Sequence, residues 1–182
     1  MDLGSPIISA GRAQFRHVVM FAAWESEQAI DDFLATTPLG QGIASGWHVR
    51  MEFLRRWGSV KELAWLPESA GEADPEEPVV AFTLARMRLL QVPRFLRWGL
   101  PTETYVRDHP GARSALAAIR YPRTIATFSI WNSQQAMLDM VRSGAHVAAM
   151  RERERRDFHH EFTTLRFRPL AEYGACEGQT AS

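Results

Sequence analysis

The sequence contains a single cysteine, Cys176, close to its end. One thiol excludes an intrachain disulfide framework and a cysteine-based zinc site. Net charge is missing too: 21 lysines and arginines offset 21 aspartates and glutamates. A balanced chain lacks the electrostatic excess that drives binding to nucleic-acid phosphates, so no nucleic-acid partner is expected. No run of about 18 apolar residues occurs, the length a membrane-spanning helix needs. The opening stretch MDLGSPIISAGRAQFR has no basic segment followed by an apolar run. It does not read as a secretory leader, and the expected location is the cytoplasm. Also missing are a G-x-G-x-x-G loop, a glycine loop with a phosphate-binding lysine, and the G-x-S-x-G nucleophile elbow.

Apolar residues make up 46% of the 182 positions and charged residues 23%, the balance of a soluble globular protein with one sizeable core. The basic residues are nearly all arginine, which suits planar, bidentate contacts with carboxylates. The chain also repeats itself. FAAWESEQAI at 21–30 returns as FSIWNSQQAM at 128–137. The offset, 128 − 21 = 107, aligns Phe21 with Phe128, Trp24 with Trp131, Ser26 with Ser133, Gln28 with Gln135, Ala29 with Ala136 and Asp32 with Asp139.

Each copy predicts a strand, HVVMFAAW at 17–24 and TIATFSIW at 124–131, both short and rich in β-branched or aromatic residues. Ser26 and Ser133 then stand as helix N-caps, whose hydroxyls accept bonds from unpaired helical N–H groups. Apolar residues follow at i, i+1, i+4 and i+5: Ala29, Ile30, Phe33 and Leu34, then Ala136, Met137, Met140 and Val141. That spacing makes one helical face. After each helix an aromatic–histidine pair opens another strand, Trp47-His48 and Phe158-His159. Strand–helix–strand is therefore expected twice.

The second copy has more in front of it. PVVAFTLARMRL (78–89) alternates like a strand, VPRFLRWGL (92–100) reads as a helix with Pro93 in its first turn, and SALAAI (114–119) is a short strand. Residues 79–175 then form a β-α-β-β-α-β ferredoxin-like unit. Residues 1–66 hold only a partial strand–helix–strand copy. The acidic, proline-rich stretch 67–78 reads as a linker, and 176–182 as a tail. The expected class is α+β, one compact domain with a complete unit and a partial one. A half unit exposes a sheet edge. It is expected to lean on the second sheet or on another chain, or else the reading frame extends upstream.

The wording of the second copy resembles the C-terminal part of the spheroidene monooxygenase family, bacterial oxygenases that modify carotenoids. The resemblance rests on TFSIWNSQQAM, then GAHVAAMR, then an aromatic and E…LRFRPL. VVAFTLARMRLLQVPRFLRW resembles the family's preceding strand and arginine-rich helix. It implies a ferredoxin-like dimeric α/β-barrel with haem as cofactor. It also implies insertion of oxygen into an apolar polyene or isoprenoid. Oxygen and electrons from an external donor would complete that chemistry; an electron-donor protein, a homodimer and peripheral contact with a membrane belong to the same expectation.

His146 is the first candidate for the haem iron. Its counterpart in the first copy, 146 − 107 = 39, is Leu39, so the histidine stands where the copies part. A neutral imidazole is a proper axial ligand for haem iron, and Met150 shares its helical face one turn on. The plain alternative is a helix-start histidine bonded to backbone or solvent. Arg123 and Arg94 are candidates for the haem propionates. His48, His159 and His160 read as structural, since neighbours in a strand point to opposite faces. LLQVPRFLRWGL (89–100) reads either as an ordinary helix with its arginine heads in water or as the mouth of an apolar site at a membrane surface. RERERR (151–156) alternates in sign and reads as a solvated helix face. Two other functions fit the sequence. One is a cofactor-independent oxygenase of the same fold, with His159 or His160 as acid–base group. The other is a non-catalytic binding protein.

Overall fold

The computed structural model describes residues 19–93, 97, 105–106, 108–120, 122–142 and 144–174. The chain runs through helices α1 (Glu27–Thr36) and α2 (Pro38–Ala44), then strands β1 (His48–Ser59), β2 (Val79–Met87), β3 (Ala112–Arg120) and β4 (Thr124–Trp131). Helices α3 (Gln134–Val141) and α4 (Gly144–Arg156) and strand β5 (His159–Tyr173) complete it. Between β2 and β3, Val92, Pro93, Arg97, Tyr105 and Val106 are helical.

The five strands form one antiparallel sheet in the order β1-β5-β2-β4-β3. The part β5-β2-β4-β3 is the ferredoxin-like arrangement expected for the second copy. The first copy adds β1 along β5, so the closing strands of the two copies lie side by side. Arg55 faces Arg166 across that pair. The two strands begin at His48 and His159, an offset of 159 − 48 = 111, which also separates Arg55 from Arg166. The closing strands of the two copies thus pair about a point between these arginines.

The repeated phrase is a repeated helix start. The Ser26 hydroxyl accepts from the Ala29 N–H at 3.2 Å, and Ser133 from Ala136 at 3.1 Å. One turn on, Gln28 donates to Asp32 at 2.8 Å and Gln135 to Asp139 at 2.7 Å. The helices then differ in burial. Met137 and Met140 of α3 are buried, whereas α1 buries no residue.

One sequence expectation is corrected here. HVVMFAAW does not form a strand over its described part, 19–24, so the described residues of the partial copy run helix–helix–strand rather than βαβ. The segment crosses the face of the sheet instead of extending an edge. Phe21 stacks on Phe82 with ring centroids 4.5 Å apart and meets Phe167 edge-on at 5.7 Å. Covering two aromatic rings removes more apolar surface from water than pairing at an edge would.

The acidic stretch 67–78 links the copies but packs closely. Arg56 N–H donates to the Glu68 carbonyl and Ala70 N–H to that of Leu54, while Ser69 bridges Arg55. The outer edge of β1 is thereby partly covered, the protection an edge strand needs. At the other end of the stretch, Pro75 and Glu77 carbonyls accept from Gln135 and Gln134 at the start of α3. Gly58, at φ 72, lets β1 lie against β5; a Cβ there would come within 2.3 Å of the Phe162 carbonyl oxygen.

Candidate functional site

Alternation along the strands sorts their side chains onto two faces. One face is a closed core: Val80, Phe82, Ile130, Leu165 and Phe167 are buried there with Val60 and Leu63, and Phe21, Phe53 and Phe128 pack against them. The other face carries two separate clusters. Val79 and Trp131 meet Met137 and Met140 of α3 at one end. Ala85, Met87 and Ile125 meet Phe158 at the other, with Ile119 and Phe162 alongside.

Between those clusters the sheet surface is made of small and polar residues. By register, Ala117 of β3, Thr127 of β4, Thr83 of β2, Thr164 of β5 and Trp57 of β1 form one row across all five strands. Ala115, Ser129, Ala81, Arg166 and Arg55 form the next. Thr127 is exposed although β4 lies inside the sheet, so solvent reaches the floor between the clusters. Five strands at about 4.8 Å spacing make this trough about 19 Å long and two residues wide. Thr83 and Thr164 hold its middle with hydroxyls 3.2 Å apart, and the Trp131 indole N–H donates to Ser129 at 2.9 Å.

At its β5–β1 end stand two arginines and a tryptophan. The Arg166 and Arg55 guanidinium carbons lie 5.6 and 5.2 Å from the Trp57 ring centroid. Burial pushes the pKa of Arg166 down to about 10.

His146 stands on the helix that follows α3 in the chain and precedes Phe158. α3 packs into one cluster, and α4 leads through Phe158 into the other. His146 is half-buried in the first turn of α4, with Nδ1 shielded from solvent. Met150, one turn on, is also half-buried. The first-copy counterpart Leu39 lies in the first turn of α2 and is 58% exposed. The repeat thus gives both residues the same place at the start of a second helix, and only the histidine is drawn inward.

The other predicted residues are scattered. Arg123 is exposed in the β3–β4 turn, where its carbonyl accepts from the Met87 N–H at 2.8 Å. Arg94 lies outside the described residues, as does Cys176. His48 stacks on Tyr173 at 4.7 Å, and His159 lies 5.2 Å from the Phe162 ring. His160 is exposed, so the two neighbouring histidines do part as expected. In RERERR, Glu152 pairs with Arg156 at 3.4 Å on the surface of α4. Sequence reasoning missed the Thr83–Thr127–Thr164 floor and Arg166. The available trace was the small or polar residue at alternate positions of VAFTLA, IATFSIW and FTTLRF.

The chain is 30% identical over 164 residues to spheroidene monooxygenase of Rubrivivax gelatinosus. The chain is similar in sequence to spheroidene monooxygenase. The alignment covers 88% of this chain and 63% of that protein, so the chain spans less than two thirds of its relative's length. No family model matches the chain. Among solved structures, a Fusobacterium nucleatum protein described as a candidate monooxygenase superposes with TM-score 0.51 at 5% identity, covering 70% of this chain and 53% of that one. This is a likeness of fold. A candidate antibiotic biosynthesis monooxygenase from Bacteroides thetaiotaomicron gives TM-score 0.45 at 13% identity, over 54% of this chain and 94% of that one.

Proposed function

We propose that this chain carries the site of a haem-dependent monooxygenase acting on an apolar polyene or isoprenoid of the carotenoid kind. The observation that supports the reading is a half-buried histidine, His146, in the first turn of α4, in a chain similar to spheroidene monooxygenase. A haem iron needs one imidazole from the protein, and half-buried His146 is of the right chemistry. His146 would hold the iron, with Met150 packing one turn away. Arg123 and Arg94 remain the candidates from sequence for the propionates. Bound haem would supply activation of oxygen, with electrons from an external donor protein.

The chain's own part is to bind, orient and exclude water. The trough offers a long, narrow floor, and the clusters at either side supply apolar walls for an extended substrate. Leu89 and Leu90, 55% and 94% exposed beside Val92 and Pro93, suit contact with the apolar phase in which such substrates dissolve. No helix among the described residues is long and apolar enough to cross a membrane, so any such contact is peripheral. A homodimer belongs to the same proposal.

The test is the visible spectrum of protein produced with iron and a haem precursor, beside His146→Ala. A strong Soret band in the parent that is lost in the variant is expected. A band unchanged in His146→Ala overturns the ligand assignment, and no band in either protein overturns the haem reading.

A further inference from the structure

The arginines of the sheet are nearly all neutralised. Arg50 pairs with Asp31, Arg86 with Glu62 and Glu161, Arg113 with Glu172, Arg120 with Glu62, and Arg168 with Glu52 and Glu77. Arg56 donates to the carbonyls of Leu66 and Gly58. Arg55 and Arg166 are the exceptions. Neither guanidinium makes a hydrogen bond or ion pair among the described residues, and their shared contact is the Trp57 ring. They face each other across β1 and β5, two like charges without a carboxylate between them. Arg166 is the more deeply set, at the end of the trough where Ala81 and Thr164 leave room beside it.

A half-buried guanidinium without a protein acceptor can exchange its remaining water for an anion. A planar fork over an aromatic ring matches a carboxylate in two-point contact. The trough itself is flanked by apolar clusters, so the matching ligand is apolar with an acidic end. We propose that Arg166, supported by Trp57 and Arg55, is a carboxylate-binding subsite at the β5–β1 end of the trough. The carboxylate belongs either to a porphyrin side chain or to a free long-chain acid. Only the first source rests on the haem reading above.

The experiment compares two pairs of probes, haemin with its dimethyl ester and dodecanoate with dodecanol. Binding of each is measured to the full chain, to Arg166→Gln, and to Arg120→Gln, which removes one exposed charge elsewhere. Arg166→Gln is expected to weaken the acid of at least one pair about tenfold or more while leaving its ester or alcohol unchanged. Arg120→Gln should leave both members unchanged. A loss confined to haemin identifies a porphyrin carboxylate, and one confined to dodecanoate identifies a free acid. Arg166→Lys, which keeps the charge but not the fork, should show a smaller loss and serves if the glutamine variant does not fold. The dodecanoate arm involves no iron, so it reads Arg166 even where His146→Ala leaves the haem spectrum unchanged. Acid and neutral probes weakened alike, no dependence on Arg166 in either pair, or no binding of either acid to the parent chain overturns the proposal.

Discussion

Replacing Arg166 by methionine is expected to stabilise the unliganded protein. Burial lowers the guanidinium pKa from its ordinary value to about 10. At about 1.4 kcal/mol per pH unit, that gap is on the order of 3 kcal/mol against the charged form in the folded state. Methionine keeps an unbranched apolar stem against Trp57 and discards the charge. The lost cation–π contact offsets about 0.5–2 kcal/mol of the gain. A net increase of about 1–2 kcal/mol remains, or about 2–8 °C in Tm for a chain of this length. The sign with pH follows from the depressed pKa. From about pH 10 up to the ordinary arginine range the folded state binds fewer protons than the unfolded one, so folding becomes more favourable as pH rises through that window. Below about 10 the cost is present in full, and the variant's advantage should hold across the neutral range. Thermal melts of both proteins at pH 7 and pH 9, followed by circular dichroism without ligand, measure it. A Tm several degrees below the parent at both pH values would refute the reasoning, because it would mean that the guanidinium is satisfied in the fold.

Three further outcomes test the trough and the repeat. Thr127→Trp places a large ring on an exposed floor position and should change stability by less than about 0.5 kcal/mol, yet block haemin or dodecanoate; unchanged binding in titrations would remove the trough from the site. Dodecanoate affinity should be flat from pH 7 to 9 and fall as pH passes about 10, where Arg166 loses its charge. The other cations nearby are Arg55 opposite it and Arg168, already held by Glu52 and Glu77, so a midpoint near pH 6 to 7 would assign the effect to a histidine instead. Ser133→Ala should cost about 1 kcal/mol in urea melts, whereas Ser26→Ala removes the same bond from a helix that buries no residue. The latter should leave the global midpoint in place and speed amide exchange in α1; equal shifts in both would contradict the difference in burial.

What the sequence made legible was local. Ser26, Gln28 and Asp32, and Ser133, Gln135 and Asp139, bond within a single turn or two, so their spacing alone announces two equivalent helix starts. The ferredoxin-like order of β2 to β5 followed from the succession of elements. The segment 19–24 was misread because its composition suits a strand, while a strand also needs a free partner edge, and that is decided elsewhere in the chain. Phe21 found the ring of Phe82, 61 residues away (82 − 21), and the segment became a cover for the sheet.

The candidate site was hidden for a related reason. Its floor takes one residue from each of five strands, and no two of Ala117, Thr127, Thr83, Thr164 and Trp57 stand close enough in sequence to form a motif. The repeat did point to His146, because a duplicated frame makes a departure visible. It could not point to Arg166, since its counterpart Arg55 is the same residue type and the copies do not diverge there. What separates the two arginines is depth: Arg55 is exposed at the edge strand, and Arg166 lies one strand further in. The pairing of β1 with β5 therefore supplies a matched pair of cations, and burial gives the two different surroundings. A departure in residue type marks His146, while a departure in environment alone marks Arg166. Only the second kind requires the folded sheet to be seen.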